Sequence, residues 1–234
     1  MKRRWSVVSL DAGGTLMEPY PSVGHVYAES AAAVGLGAVD PAAVTRQFAA
    51  AWRRLPDGQF DYSRPAWSRL VAASFAGLVP TPDSPALFAE AYERFADAPA
   101  WRVFPEVPAT LRTLREGGVR LVVTSNWDER LPRLLAALDL ASYFEWVGVS
   151  RTIGFHKPDV RCYQAVTAQL GVPADEILHA GDRAPEDVDG PRQAGWSAVL
   201  IQRLPHPEPG PDTLRSLADL IPRVLPDTGL SGPR

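Results

Sequence analysis

Four short segments of the sequence place polar side chains directly after, or beside, short apolar runs. Together they offer a possible nucleophile, hydroxyl and amide donors, one cation and two further acids. This combination is suited to chemistry on a small anionic ligand. The side chains are Asp11 with Thr15, Ser125 with Asn126, Lys157, and Asp182 with Asp187.

Lysine usage draws attention to Lys157. The chain carries 24 basic residues, of which only Lys2 and Lys157 are lysines. A lone internal lysine in an arginine-rich chain indicates a position that needs a compact ammonium group, where a planar guanidinium does not fit. Chance retention on a loop is the alternative interpretation.

The elements that must position these residues alternate between strand and helix. Helical patterns at 108–118, 129–140 and 159–171 separate short apolar runs typical of buried parallel strands. This alternation predicts an α/β fold with a doubly wound parallel sheet, in which ligands bind beyond the carboxyl ends of the strands. The predicted strands are residues 5–10, 119–124, 177–180 and 197–201, with a weaker one at 145–149.

The first two predicted strands are separated by about a hundred residues, far more than one crossover needs. Asp40 before Pro41 and Ser84 before Pro85 are typical helix starts within this stretch. We therefore predict an α/β core from residues 1–16 and 101–234, interrupted by a helical-bundle cap at residues 17–100.

Composition narrows the class of protein. The chain has 234 residues, 46% of them hydrophobic, and a formal net charge of −3 with dispersed arginines. This balance predicts a globular protein with small-molecule ligands, and neither a nucleic-acid nor a membrane partner. Cys162, the single cysteine, cannot form an internal disulfide, which fits a cytoplasmic location. The "LPDTG" motif at 225–229 is interpreted as part of a disordered tail. These features leave the oligomeric state open.

Four motifs reveal a family resemblance. "LDAGGTL", "VVTSNWD", "GFHKPD" and "HAGDRAPED" occur in the order and at the spacing of the four motifs of the haloacid dehalogenase superfamily of hydrolases. The helical insertion after the first motif resembles the C1-type cap of that superfamily. The resemblance extends to about residue 202 and implies a Rossmann-like core.

The resemblance also implies roles for individual residues. Asp11 would be the nucleophile that forms an aspartyl-phosphate or aspartyl-ester intermediate. Ser125 would bind the transferring group, and Lys157 would neutralise charge on the nucleophile and the phosphoryl group. Asp187 would support Asp182, the metal ion or Lys157. The implied Mg²⁺ ligands are Asp11, the Gly13 carbonyl, Asp182 and Asp187, and the substrate contacts are Thr15, Asn126 and Trp127.

The sequence departs from the phosphatases of this superfamily at Gly13, where they carry a second aspartate that protonates the leaving group. Loss of a general acid and base typically costs about two to four orders of magnitude in rate. Three explanations remain open. A phosphatase could use good leaving groups or another acid, with Glu18, His25 and His156 as candidates. A 2-haloacid dehalogenase needs no such acid, because halide leaves without a proton. The third explanation is a catalytically impaired module that binds phosphate or Mg²⁺.

The acid pair in the fourth motif favours the first explanation, because the dehalogenase branch needs no metal and lacks that acid. The resemblance therefore predicts a Mg²⁺-dependent hydrolase, a phosphatase of a small phosphorylated metabolite, with Asp11 as nucleophile.

Overall fold

The computed structural model describes residues 4–55, 60–203 and 210–226. Lys2, the proline-rich stretch 204–209 and most of the predicted tail lie outside these ranges. The strands of the described residues are β1 Val7–Leu10, β2 Met17–Pro19, β3 Trp101–Val103, β4 Arg120–Ser125, β5 Trp146–Val149, β6 Ile177–Gly181, β7 Ser197–Ile201 and β8 Thr213–Leu214. The α-helices are α1 Val23–Ala33, α2 Pro41–Arg53, α3 Arg64–Phe75, α4 Pro85–Arg94, α5 Val107–Glu116, α6 Leu131–Ala137, α7 Ser150–Ile153, α8 Val160–Leu170, α9 Gly190–Gln193 and α10 Leu220–Val224.

Six strands form one parallel sheet in the order β5-β4-β1-β6-β7-β8. The sequence order reverses on either side of β1, as expected for a doubly wound α/β fold, and the predicted fold class is confirmed. All five predicted strands are present in this sheet. Its short edge strand β8 was not predicted, and neither were β2 and β3, the first of which lies in the stretch predicted to be helical. The strands β2 and β3 pair separately as a two-stranded sheet.

Burial explains why the central strands are short apolar runs. Every residue of β1 is buried, because a parallel strand between two neighbours is covered by helices on both faces. On one face Tyr163 and Val166 of α8 pack with Trp196 and Val7. Helix α8 begins at its N-cap Asp159, whose side chain accepts from the amide of Arg161, and ends at Gly171 with a φ of 64°.

The chain forms two compact units. The α/β unit comprises residues 1–16, 103–126 and 140–234, and the helical unit comprises residues 17–102 and 127–139. The segment 127–139, which contains α6, therefore groups with the helical unit, although the predicted core included it. One reason is Arg130, whose Nη1 donates to the carbonyl of Tyr92 at 2.7 Å and whose guanidinium lies 3.5 Å from the centre of the Tyr92 ring.

The helical unit has its own apolar core. Tyr27 from α1, Phe75 from α3 and Leu87 from α4 are buried together in it. The helix starts follow the predicted signals. Asp40 caps α2 by accepting from two amides, and Ser84 caps α4 by accepting from the amide of Leu87. Nowhere in the described ranges is a helix long and apolar enough to cross a membrane.

Candidate functional site

The carboxyl ends of β1 and β4 bring Asp11 and Ser125 together. Asp11 directly follows β1, and its amide continues the pairing with β6 by donating to the carbonyl of Ala180 at 3.0 Å. Ser125 is the last residue of β4, and its Oγ donates to Asp11 Oδ1 at 2.9 Å. Two residues 114 positions apart thus meet because their strands are neighbours in the sheet.

Lys157 supplies a buried cation to the same carboxylate. Its Nζ donates to Asp11 Oδ1 at 2.8 Å and to Asp187 Oδ1 at 2.5 Å, and the residue is only 3% exposed. Burial alone would lower the pKa of Lys157, but the two carboxylates overcome this effect and raise it. Lys157 is therefore a fixed positive charge between two acids.

Asn126 holds the backbone of Lys157. Its Nδ2 donates to the Lys157 carbonyl at 2.8 Å, and its Oδ1 accepts from the Lys157 amide, also at 2.8 Å. Both ends of the Asn126 amide group are thus bonded to the segment that presents the lysine. This arrangement makes Asn126 a support for Lys157, while the predicted substrate contact of Asn126 stays a prediction.

Asp187 is enclosed by donors. Besides Lys157, the backbone amide of Arg183 donates to its Oδ2 at 2.9 Å, and Nε2 of His179 lies 3.0 Å from its Oδ1. Burial would raise the pKa of Asp187, but Lys157 and the hydrogen bond with His179 hold it below its ordinary value. Among the three partners considered for Asp187, the structure shows direct contact with Lys157.

Asp182 follows β6 and is the solvent-exposed member of the acidic group. Partial desolvation, reinforced by the negative charges of Asp11 and Asp187, raises the pKa of Asp182 to about 7. Burial likewise raises the pKa of Asp11, and Lys157 opposes that rise. Carboxylate oxygens of Asp11, Asp182 and Asp187 all lie within 4.8 Å of one another, so these residues could hold a metal ion.

Two glycines permit the close approach of these carboxylates. A Cβ on Gly14 would overlap the carboxylate of Asp182, and a Cβ on Gly181 would overlap that of Asp187. Gly14 also has a φ of 83°, a conformation that side-chain-bearing residues rarely adopt. The glycine at position 14 is therefore required both by the turn after Asp11 and by the position of Asp182.

A buried polar layer, which the sequence did not predict, lies beneath the site. His179 Nδ1 lies 3.0 Å from Ser9 Oγ, and Ser9 Oγ lies 2.9 Å from Thr124 Oγ1. Ser9 and His179 are register partners on β1 and β6, and all three residues are fully buried. Ser9 and His179, each a polar residue in an otherwise apolar strand, were the available signal.

A protein-family model matches most of the chain and shows which family it belongs to. The model of the haloacid dehalogenase-like hydrolases matches residues 5–195. The chain belongs to this hydrolase family. The resemblance carried by the four motifs is therefore confirmed, and the site described above contains residues from all four.

Similar proteins support the same family membership. The human haloacid dehalogenase-like hydrolase domain-containing protein 3 is 31% identical over 204 residues, which cover 83% of this chain and 81% of that protein. The phosphoserine phosphatase of Thermus thermophilus is 34% identical over 121 residues, 51% of this chain and 48% of its own. The L-2-haloacid dehalogenase of Xanthobacter autotrophicus has a similar fold, with a TM-score of 0.73, 20% identity and coverage of 96% of this chain and 99% of that chain.

Three further residues have roles that rest on the family resemblance alone. Thr15 is fully buried, and among the described residues no hydrogen-bond partner is found for its Oγ1. Gly13 follows Asp11 in the turn and contributes no side chain. Trp127 belongs to the helical unit, where its ring lies 5.2 Å from that of Trp101. Their assigned roles stay predictions.

The candidate replacement acids of the helical unit already have partners there. Glu18 forms an ion pair with Arg102, and His25 Nδ1 lies 2.9 Å from Ser22 Oγ at the start of α1. These contacts account for both side chains as parts of the helical unit.

Proposed function

We propose that this hydrolase is a Mg²⁺-dependent phosphatase that acts on a small phosphorylated metabolite through an aspartyl-phosphate on Asp11. The observation that carries the proposal is the convergence of three carboxylates within 4.8 Å of one another, two of which bond the buried ammonium of Lys157. A phosphatase needs a nucleophile, a metal site and a fixed cation at one place, and these residues offer all three.

The charges and ligand types fit a divalent cation. Three carboxylates accompany one ammonium group, so the cluster has an excess of negative charge. Burial raises the pKa values of Asp11 and Asp182, and repulsion from the neighbouring carboxylates adds to the rise. Carboxylate and carbonyl oxygens are the ligands that Mg²⁺ prefers. Asp11, Asp182 and the Gly13 carbonyl would hold the ion, with Asp187 contributing charge from its bonds to Lys157. When bound, the ion would supply positive charge to the phosphoryl oxygens.

The hydrogen bonds of Asp11 support Oδ2 as the attacking atom. Oδ1 accepts from both Ser125 and Lys157, so Oδ2 is the oxygen left to attack phosphorus. Attack by Oδ2 forms the Asp11–phosphorus bond while the bond from phosphorus to the leaving oxygen breaks. Lys157 then faces the charge that spreads over the phosphoryl oxygens. Water hydrolyses the aspartyl-phosphate and releases inorganic phosphate.

Gly13 limits the leaving group. It cannot donate a proton to a departing alkoxide, so substrates whose leaving oxygen is a weak base are favoured. Acyl phosphates and aryl phosphates meet this condition. The partial relation to a phosphoserine phosphatase supports a phosphorylated substrate in general.

A dehalogenase is the alternative that Gly13 permits, because halide leaves without a proton. The acidic cluster argues against it, since a reaction that needs no metal gains nothing from placing Asp182 beside Asp11.

For the helical unit we retain the proposal that residues 17–100 act as a substrate cap on a core of residues 1–16 and 101–234. Trp127 with Thr15 and Asn126 would contact the substrate.

The test is a substrate panel of alkyl, aryl and acyl phosphates and 2-haloacids, each assayed with and without Mg²⁺. We expect Mg²⁺-dependent phosphate release from aryl and acyl phosphates, and none from the isosteric variant Asp11→Asn. Trapping of a phosphorylated Asp11 peptide by mass spectrometry would identify the intermediate. Halide release without metal would favour the dehalogenase. Binding of Mg²⁺ or phosphate without turnover would favour the impaired module.

A further inference from the structure

Arg203, two residues beyond β7, makes contacts that none of the roles above explains. Its Nη2 donates to the Thr15 carbonyl at 2.7 Å, and its Nε donates to the Gly14 carbonyl at 3.3 Å. Its Nη1 donates to Glu106 Oε1 at 2.5 Å. The guanidinium also lies 3.5 Å from the centre of the Phe104 ring. One side chain therefore contacts two segments far apart in the sequence.

Both segments lie where the chain leaves or re-enters the α/β unit. Gly14 and Thr15 precede the departure of the chain at Leu16, and Phe104 and Glu106 follow its return at Val103. The backbone already links the two places, because the Phe104 amide donates to the Leu16 carbonyl at 3.1 Å. Arg203 adds a side-chain bridge across the same junction.

The acceptors of this bridge include two carbonyls of the turn after Asp11. Within the turn the amides of Thr15 and Leu16 both donate to the Ala12 carbonyl, so neither of them serves the carbonyls of Gly14 and Thr15. Thr15 is fully buried, and an unbonded carbonyl there would be unfavourable. A guanidinium can serve two carbonyls and a carboxylate at once through its planar set of donors, whereas an ammonium cannot match that geometry.

We propose that Arg203 is a positioning residue, which holds the turn after Asp11 by bonding its carbonyls and pairing with Glu106. The turn carries Gly13 and presents Asp11, so its position determines where the nucleophile and the candidate metal-binding carbonyl lie. Glu106 supports the bridge. Burial would raise the pKa of its carboxyl, but the hydrogen bond from Arg203 lowers it and keeps the group charged.

Amide hydrogen exchange tests the proposal without any substrate. In Arg203→Met we expect the amides of Leu16 and Phe104 to exchange at least about tenfold faster, because the turn after Asp11 and its contact with Phe104 open locally. The amides of Val123 and Val147, on β4 and β5, should keep their wild-type rates. In Arg203→Lys, which retains the charge but not the planar donors, exchange at Leu16 should remain faster than in the wild-type protein.

Arg192 offers a matched control. Its Nη2 bonds the Ala198 carbonyl at 3.0 Å and Asp212 at 2.8 Å, which is a similar carbonyl and carboxylate pair away from the turn. Arg192→Met should leave exchange at Leu16 and Phe104 unchanged. Unchanged exchange of these two amides in Arg203→Met would overturn the proposal. An equal acceleration across the whole sheet would also overturn it, because Arg203 would then act on global stability alone.

A kinetic measurement adds the functional part, which rests on the proposed phosphatase activity. With the best substrate of the panel, we expect kcat of Arg203→Met to fall about 10- to 100-fold with little change in KM, because a misplaced nucleophile slows the chemical step. If the wild-type protein turns over no phosphate ester, the phosphatase proposal fails, while the exchange result still decides the role of Arg203.

Discussion

Lys157 Nζ donates to Asp11 Oδ1 at 2.8 Å, although the two residues are 146 positions apart in the chain. Because Lys157 also bonds Asp187 at 2.5 Å, one ammonium group holds two carboxylates whose mutual repulsion would otherwise separate them. The relationship explains the lone internal lysine of an arginine-rich chain: the space between the two acids is buried and compact.

Replacement of this lysine by arginine tests the need for a compact charge. In Lys157→Arg we expect turnover to fall on the order of 100-fold or more, because a displaced cation no longer faces the developing charge. The measurement is kcat on the best substrate of the panel, with circular dichroism as a control for folding. A folded Lys157→Arg protein with at least half of the wild-type kcat would contradict the requirement.

Gly14 should not tolerate a side chain. Gly14 has a φ of 83°, and a Cβ there would overlap the carboxylate of Asp182. We expect Gly14→Ala to weaken Mg²⁺ activation at least about tenfold. Displacement of Asp182 needs to cost only roughly 1.4 kcal/mol of Mg²⁺-binding free energy to produce that change. The measurement is the Mg²⁺ concentration at half-maximal activity.

Gly35 provides the control for Gly14. It has a similar φ of 78°, but a Cβ there meets nothing within 4 Å. Gly35→Ala therefore carries the same kind of backbone strain without the overlap, and we expect it to reduce stability slightly while leaving Mg²⁺ activation unchanged. Equal effects of the two variants on Mg²⁺ activation would show that strain, not the overlap with Asp182, is responsible.

Gly13 is not among the described residues with a positive φ, so its backbone can accept a side chain. We expect Gly13→Asp to raise turnover of alkyl phosphates, by as much as about a hundredfold, because it supplies the missing proton donor. Aryl phosphates should gain much less, since their leaving groups need little protonation. The ratio of the two rates is the measurement. An unchanged rate on alkyl phosphates would show that the missing acid does not limit activity.

The raised pKa of Asp182 predicts a pH dependence of the metal-free protein. The pKa is about 7 in the folded state against an ordinary 3.8, so the folded protein binds the additional proton between these values. The stabilisation of the folded state that comes from protonated Asp182 is therefore fully present below about pH 4 and is lost as pH rises through about 7. Asp187 does not change its protonation state in this pH range, because its pKa is lowered.

Thermal unfolding between pH 4 and 8 without metal measures this effect. We expect the unfolding temperature of Asp182→Asn to vary less across this range than that of the wild-type protein. Added Mg²⁺ should raise the wild-type unfolding temperature mainly above pH 7, where Asp182 is ionised and free to bind a cation. Identical pH profiles for the two proteins would rule out Asp182 as the source.

The buried layer beneath the site should be sensitive to a single hydroxyl. Ser9→Ala removes the partner of His179 Nδ1, 3.0 Å away, inside a fully buried region. An unsatisfied buried polar group costs about 1–3 kcal/mol, so the free energy of unfolding in urea should fall by that amount. Ser30 is an equally buried control, because its hydroxyl donates to the carbonyl of Val26 within its own helix. Ser30→Ala should cost clearly less than Ser9→Ala.

The positions of Asp11, Ser125 and Asp182 could be predicted from the sequence because each lies at or directly after the end of an apolar strand, and parallel strands present their carboxyl ends at one edge. Lys157 was found through residue usage. Residue usage did not predict its bond to Asp11, because this bond depends on how the loop before α8 places the lysine.

The contacts of Arg203 and His179 could not be predicted in this way. Arg203 is one of many arginines, and its partners Gly14 and Thr15 lie almost 190 positions away. Which carbonyl a long side chain reaches depends on side-chain rotamers and packing, and neither has a periodic signature in the sequence. His179 lies on a strand, where the sequence shows a polar residue but not the neighbour it bonds.

The placement of residues 127–139 with the helical unit affects how this protein can be recombined with its relatives. An exchange of residues 17–102 alone would remove Tyr92, whose carbonyl and ring hold Arg130. A chimaera that borrows substrate preference from another family member must therefore transplant two stretches of chain together. The second of them begins immediately after the Ser125–Asn126 pair.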